Sequence, residues 1–139
     1  KVITVDKIDS ILPEADILYL AMPETPGTKN LISRKRLDLL KTSCGIVNIG
    51  RQSTMDYDAL CEKLRANKIA GAILDVFNPE PIELNSKLWE IPNLIITPHV
   101  SSDDGESYVR LTLELFTKNL KLFISNKPLI NQVNKNLGY

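Results

Sequence analysis

The sequence is short of the residues that build metal centres and covalent staples. It has one histidine, His99, and two cysteines, Cys44 and Cys61, none of them at metal-ligand spacing, so neither a zinc site nor a disulfide framework is expected. The thiols read as reduced and the protein as cytoplasmic. It also lacks an excess of charge of either sign: Lys plus Arg number 17 and Asp plus Glu 17, giving a net charge of zero at neutral pH. Without a basic stripe there is no electrostatic footprint for nucleic acid or an anionic membrane. No apolar run approaches the roughly 20 residues of a membrane helix, and no signal-like segment opens the chain. With only six glycines, no three stand in the G-x-G-x-x-G spacing that cradles a dinucleotide pyrophosphate. What is present is 43% hydrophobic residues over 139 positions, enough for one packed core.

Those apolar residues fall into short runs, many of them β-branched and bounded by Pro, Gly, Asp or Asn: Val2–Val5, Ile17–Leu20, Gly45–Ile49, Ile69–Val76 and Leu94–Thr97. Each reads as a strand buried on both faces. Between them, 6–12 allows two helical turns, Ser33 is a plausible N-cap for a helix carrying Leu37 and Leu40 to Lys41, and Asp56 precedes a helix carrying Leu60 and Leu64 to Asn67. Strands alternating with helices predict an α/β fold, a mostly parallel sheet with helices on both faces. From Asp103 to Ser125 the period is helical throughout, with Asp103 and Glu106 at capping-box spacing. Only one narrow stripe of that helix is polar (Arg110, Glu114, Thr117, Lys118, Lys121, Ser125), so it is expected to make contacts on two sides. The tail from Asn126 to Tyr139 reads as extended.

In parallel sheets ligands gather beyond the carboxyl ends of the strands. Met22–Thr28, rich in Pro and hydroxyls, follows Ile17–Leu20; Gly50-Arg51 follows Ile49; Asp75 and then Glu80 follow Leu74; Pro98-His99 follows Thr97. One Arg, two carboxylates and the sole His are thus expected along one sheet edge. Each alone has a plain structural reading, as a salt-bridge arginine, a loop carboxylate, a turn cap or a hydrogen-bonded histidine. Their joint placement points to catalysis.

In order, Ala15–Pro23, Thr25-Pro26-Gly27-Thr28, Asn48-Ile49-Gly50-Arg51, Gly71–Phe77 with Glu80-Pro81, and Pro92-Asn93 leading to Thr97-Pro98-His99 resemble the successive signatures of the D-2-hydroxyacid dehydrogenases. The closing Asn131-Gln132-Val133 and Gly138-Tyr139 look most like the glyoxylate/hydroxypyruvate reductase branch. The resemblance implies a Rossmann-like fold, NAD or NADP as cofactor, a small 2-oxo or 2-hydroxy acid as substrate, and a homodimer. It implies Arg51, Glu80 and His99 as the catalytic set. Pro23, Thr28, Ile49, Gly50, Asp75, Ser101 and Ser102, together with Arg51 and His99, are implied as cofactor contacts. Where the family has Gly after the Arg, this sequence has Gln52.

The family places its glycine loop and most of its substrate domain upstream of the matching residues. The resemblance therefore implies that this chain is the carboxyl-terminal part of such an enzyme, the second half of the dinucleotide fold, and inactive alone. The expected division is a partial dinucleotide-binding domain at 1–102 and a helix and tail at 103–139 that pack toward the substrate domain. Two rival readings are a dinucleotide-sensing, corepressor-like protein that retains the Arg–Glu–His set, and a self-sufficient small α/β module.

Overall fold

A computed structural model describes residues 2–139. It separates into two compact units, one ending at His99 and one running from Val100 to Tyr139.

The first unit is built on four parallel strands in the order β1-β2-β3-β4: β1 Ile17–Leu20, β2 Gly45–Asn48, β3 Gly71–Leu74 and β4 Leu94–Ile96. The strands run parallel because helical or looped crossovers return the chain to the same end each time. The register aligns Leu20, Asn48, Leu74 and Ile96 in one row and Tyr19, Val47, Ile73 and Ile95 in the next. Alternation sends the first row toward helices α1, Arg34–Leu37, and α2, Tyr57–Arg65. Leu20, Ile46 and Leu74 form one core there with Leu37, Leu60 and Leu64, all almost completely buried.

Helix α2 illustrates how local signals and packing agree. Tyr57, Leu60, Cys61 and Leu64 recur at helical spacing and are all buried. The Asp56 carboxylate accepts the Ala59 N–H at 2.9 Å, which satisfies one of the open donors of the first turn. At the other end Asn67 turns left-handed (φ 52°), and the Lys68 N–H reaches back to the Lys63 carbonyl at 2.8 Å.

Several expectations are corrected. Val2–Val5 is not a strand: residues 2–4 belong to no element and Val5–Ser10 forms 3-10 turns, because a strand needs a pairing partner and none meets it among the described residues. The 33–41 helix shortens to Arg34–Leu37. The sheet face bearing Ile17 (66% exposed), Tyr19 and Ile95 stays open in this unit, so helices cover one face rather than two. The 69–76 strand contracts to Gly71–Leu74, although backbone bonds Ala70 to Cys44 and Asp75 to Asn48 extend its pairing at both ends.

The second unit is organised around α3, Tyr108–Ile124. It begins four residues later than a capping box at Asp103 suggests, because Asp104, not Asp103, accepts the Glu106 and Ser107 N–H groups and the Ser107 hydroxyl. No residue of α3 is buried. The tail is not extended. It folds back so that the Asn119 side chain accepts the Ile130 N–H at 2.8 Å and donates to its carbonyl at 3.1 Å.

Candidate active site

The carboxyl ends of β2, β3 and β4 carry the expected residues. Arg51 lies just past β2, Asp75 just past β3, and Thr97 to His99 just past β4. The three strands are held in register, so these three positions share one edge.

The loop after β3 brings Glu80 to His99. Glu80 Oε2 lies 2.8 Å from His99 Nδ1, and Oε1 accepts the Phe77 N–H at 2.6 Å. Both side chains remain partly open to solvent, His99 at 42% and Glu80 at 37%. The bond from His99, then that from Phe77 N–H, holds the Glu80 carboxyl below the ordinary glutamate value, with a smaller push from the Arg51 charge. Glu80 is therefore ionised at neutral pH. His99 adopts a left-handed backbone (φ 58°), uncommon for a non-glycine residue and frequent at functional sites.

Asp75 is 1% exposed, where a carboxylate is costly unless hydrogen-bonded, and the Thr97 hydroxyl donates to it at 2.5 Å. Arg51 is exposed, with one guanidinium nitrogen on the Gly50 carbonyl at 2.6 Å. Gly50 has a steric reason to be glycine: a Cβ there would stand 2.6 Å from the Met22 carbonyl oxygen, so the turns after β1 and β2 can touch only without a side chain.

Pro23 and Thr28 belong to the turn after β1. The Thr28 hydroxyl donates to the Pro23 carbonyl at 2.7 Å and accepts the Thr25 N–H at 2.8 Å, which makes this loop a closed hydrogen-bonded unit. Ser101 and Ser102 fall in the second unit and are exposed. The structure thus brings Arg51, Asp75, Glu80 and His99 to one edge of the first unit, with Ile49 and Gly50 at the end of β2.

Two further residues escaped the sequence reading. Asn48 is fully buried at the end of β2, its Oδ1 accepting the Gly50 N–H and its Nδ2 donating to the Arg51 carbonyl and the Tyr57 hydroxyl. Tyr57, on the first turn of α2, donates in turn to the Val76 carbonyl at 2.8 Å. A lone Asn closing a buried apolar strand is the one signal that pointed there.

This donor and acceptor set fits the nicotinamide end of a dinucleotide: an ionisable acceptor at Asp75 and backbone polar groups at Ile49 and Gly50, on the sheet edge that also carries His99. Among the described residues no group of three or more His, Cys, Asp or Glu could hold a metal ion, and no helix is long and apolar enough to cross a membrane.

The family model for the D-isomer specific 2-hydroxyacid dehydrogenase, NAD binding domain, matches residues 1–101. The chain is 41% identical over 100 residues to glyoxylate/hydroxypyruvate reductase B of Pectobacterium carotovorum, covering 72% of this chain and 31% of that protein. It is 34% identical over 134 residues to D-3-phosphoglycerate dehydrogenase of Haemophilus influenzae, covering 94% of this chain and 32% of that one. Among solved structures, a D-isomer specific 2-hydroxyacid dehydrogenase from Xanthobacter autotrophicus in complex with NADPH and MES superposes with a TM-score of 0.89 at 31% identity, over 96% of this chain and 54% of that chain. The chain spans about a third of the length of these two curated relatives. Sequence motifs, parallel sheet and solved neighbours agree, and the chain belongs to the D-isomer specific 2-hydroxyacid dehydrogenase family, in its NAD binding domain.

Proposed function

We propose that the protein containing this chain reduces a small 2-oxo acid, of the glyoxylate or hydroxypyruvate kind, to the D-2-hydroxy acid with NADH or NADPH. The observation that carries this reading is the Glu80–His99 couple, 2.8 Å apart, on the same sheet edge as Arg51.

Each residue has a defined task. The Arg51 guanidinium, a planar fork that stays charged, binds the substrate carboxylate and polarises the adjacent carbonyl. A reduced nicotinamide held at Asp75, Ile49 and Gly50 would supply the hydride that the carbonyl carbon needs. His99 donates the proton that the developing alkoxide takes up. The ionised Glu80 holds the imidazole by Nδ1, leaving Nε2 toward the substrate. Asp75 would accept from the carboxamide, Ile49 and Gly50 would offer backbone groups beside it, and Pro23 and Thr28 would border the dinucleotide.

Residues 103–139 are, in this reading, the segment that packs toward the rest of the polypeptide or toward a second copy in a homodimer. Support comes from α3, where Tyr108, Val109, Phe116, Phe123 and Ile124 are each more than 60% exposed. Both cysteines are free and buried, which supports a cytoplasmic setting.

The test is cofactor oxidation by the gene's full-length protein, followed by absorbance, with glyoxylate, hydroxypyruvate and phosphohydroxypyruvate. Turnover with at least one acid is expected. No consumption of either cofactor with any of them overturns the proposal.

A further inference from the structure

The two halves of the site are carried by different segments, the Arg51 turn by β2 and Glu80 by the loop after β3. One buried side chain links them. Asn48 secures the Arg51 turn through the Gly50 N–H (3.0 Å) and the Arg51 carbonyl (3.2 Å), and also donates to Tyr57 Oη at 3.2 Å. Tyr57 Oη donates to the Val76 carbonyl at 2.8 Å. The next residue, Phe77, packs edge-on against the Tyr57 ring with centroids 6.3 Å apart, and its N–H holds Glu80 Oε1.

We propose that Tyr57 is a positioning residue that sets the placement of the Glu80–His99 couple relative to Arg51, its hydroxyl tying the buried Asn48 hub to the start of the Glu80 loop. The inference rests on the function proposed above. Burial raises the phenol's pKa, so Tyr57 stays protonated and remains a donor across the working pH range. Tyr57 contacts neither Arg51 nor Glu80 through its hydroxyl, so it acts through the Asn48 side-chain amide and the Val76 carbonyl and does no proton transfer itself. A helix residue with this bond pattern is more than core packing. Packing needs the ring alone, whereas the hydroxyl serves as the common partner of a site-forming amide and a loop carbonyl.

The experiment compares full-length wild type with Tyr57→Phe, which keeps the ring, and with Leu64→Ala, a core truncation at the far end of the same helix. Tyr57→Phe is expected to lower kcat about five- to tenfold, from the loss of a buried hydrogen bond, with the KM for the reduced cofactor unchanged. The His99 ring-nitrogen NMR resonances should also move, although residue 57 does not touch His99. In a Glu80→Gln background Tyr57→Phe should add less than twofold, because both changes act on one couple. Leu64→Ala should lower the melting temperature while leaving kcat and the His99 resonances in place. Wild-type kcat and unshifted His99 resonances in Tyr57→Phe overturn the inference, as does a full additive loss on Glu80→Gln. An inactive wild type instead overturns the functional reading. His99 resonances that still respond to Tyr57→Phe in such a protein would support the positional coupling separately.

Discussion

The two units of this chain use apolar residues in opposite ways. Among the described residues every buried side chain lies in the first unit, while α3 has none despite a mostly apolar sequence. In the first unit strands distant in sequence are brought together, and their shared core fixes an edge where Arg51, Asp75, Glu80 and His99 converge. In the second, order comes from local bonds, chiefly the turn at Asp104, the helix ladder and the Asn119 clasp on Ile130. A helix can be specified locally, whereas a reactive constellation needs the non-local core.

That contrast is open to direct attack, beginning with the chemistry proposed for the first unit. In the full-length protein, His99→Ala should lower kcat for 2-oxo acid reduction roughly a hundredfold to ten-thousandfold with little loss of stability. Arg51→Ala should chiefly raise the KM for the oxo acid. Steady-state kinetics on both variants checks this, and any α3 substitution with the same signature would erase the distinction.

Next comes stability. Leu64→Ala, at a completely buried position, should cost about 2–5 kcal/mol in urea unfolding. Leu113→Ala, at a position 57% exposed on α3, should stay within about 0.5 kcal/mol in this chain. Equal losses would show that α3 is packed as tightly as the sheet. Asp56→Ala removes the side-chain cap of α2 and should cost about 1 kcal/mol by the same measurement.

The smallest effect is the titration of Glu80. Its folded pKa lies below the ordinary glutamate value, so its bonds to His99 and Phe77 contribute fully above the unfolded-state pKa. That contribution is lost as pH falls through the depressed folded value. Carbon NMR of the Glu80 carboxyl should show a midpoint below that of a model glutamate, and Tyr57→Phe should move it upward.

Much of the site was legible in the sequence because its members sit immediately after apolar runs of strand length, and parallel pairing places such positions on one edge. Leu20, Asn48, Leu74 and Ile96 share a row for that reason. The α2 cap at Asp56 and stop at Asn67 were legible because each is a one-residue signal with a local mechanism. Val2–Val5 misled because β-branched residues specify extended backbone but not a pairing partner. The bare face of Ile17, Tyr19 and Ile95 was equally hidden, since an apolar strand does not reveal whether anything covers it. Tyr57 was missed because a tyrosine at a core helix position reads as packing, and only the fold shows its hydroxyl between Asn48 and Val76.

The central claim is hydride transfer to a 2-oxo carbon at the Arg51, Glu80 and His99 edge. Its most direct test gives the full-length protein reduced cofactor dideuterated at the nicotinamide C4 position, with glyoxylate or hydroxypyruvate, and reads the product by mass spectrometry. The account predicts one deuterium on the hydroxyl-bearing carbon of the product, and its absence from His99→Ala incubations of equal length. Hydroxy acid without deuterium, or labelled product at the wild-type rate from His99→Ala, would contradict it.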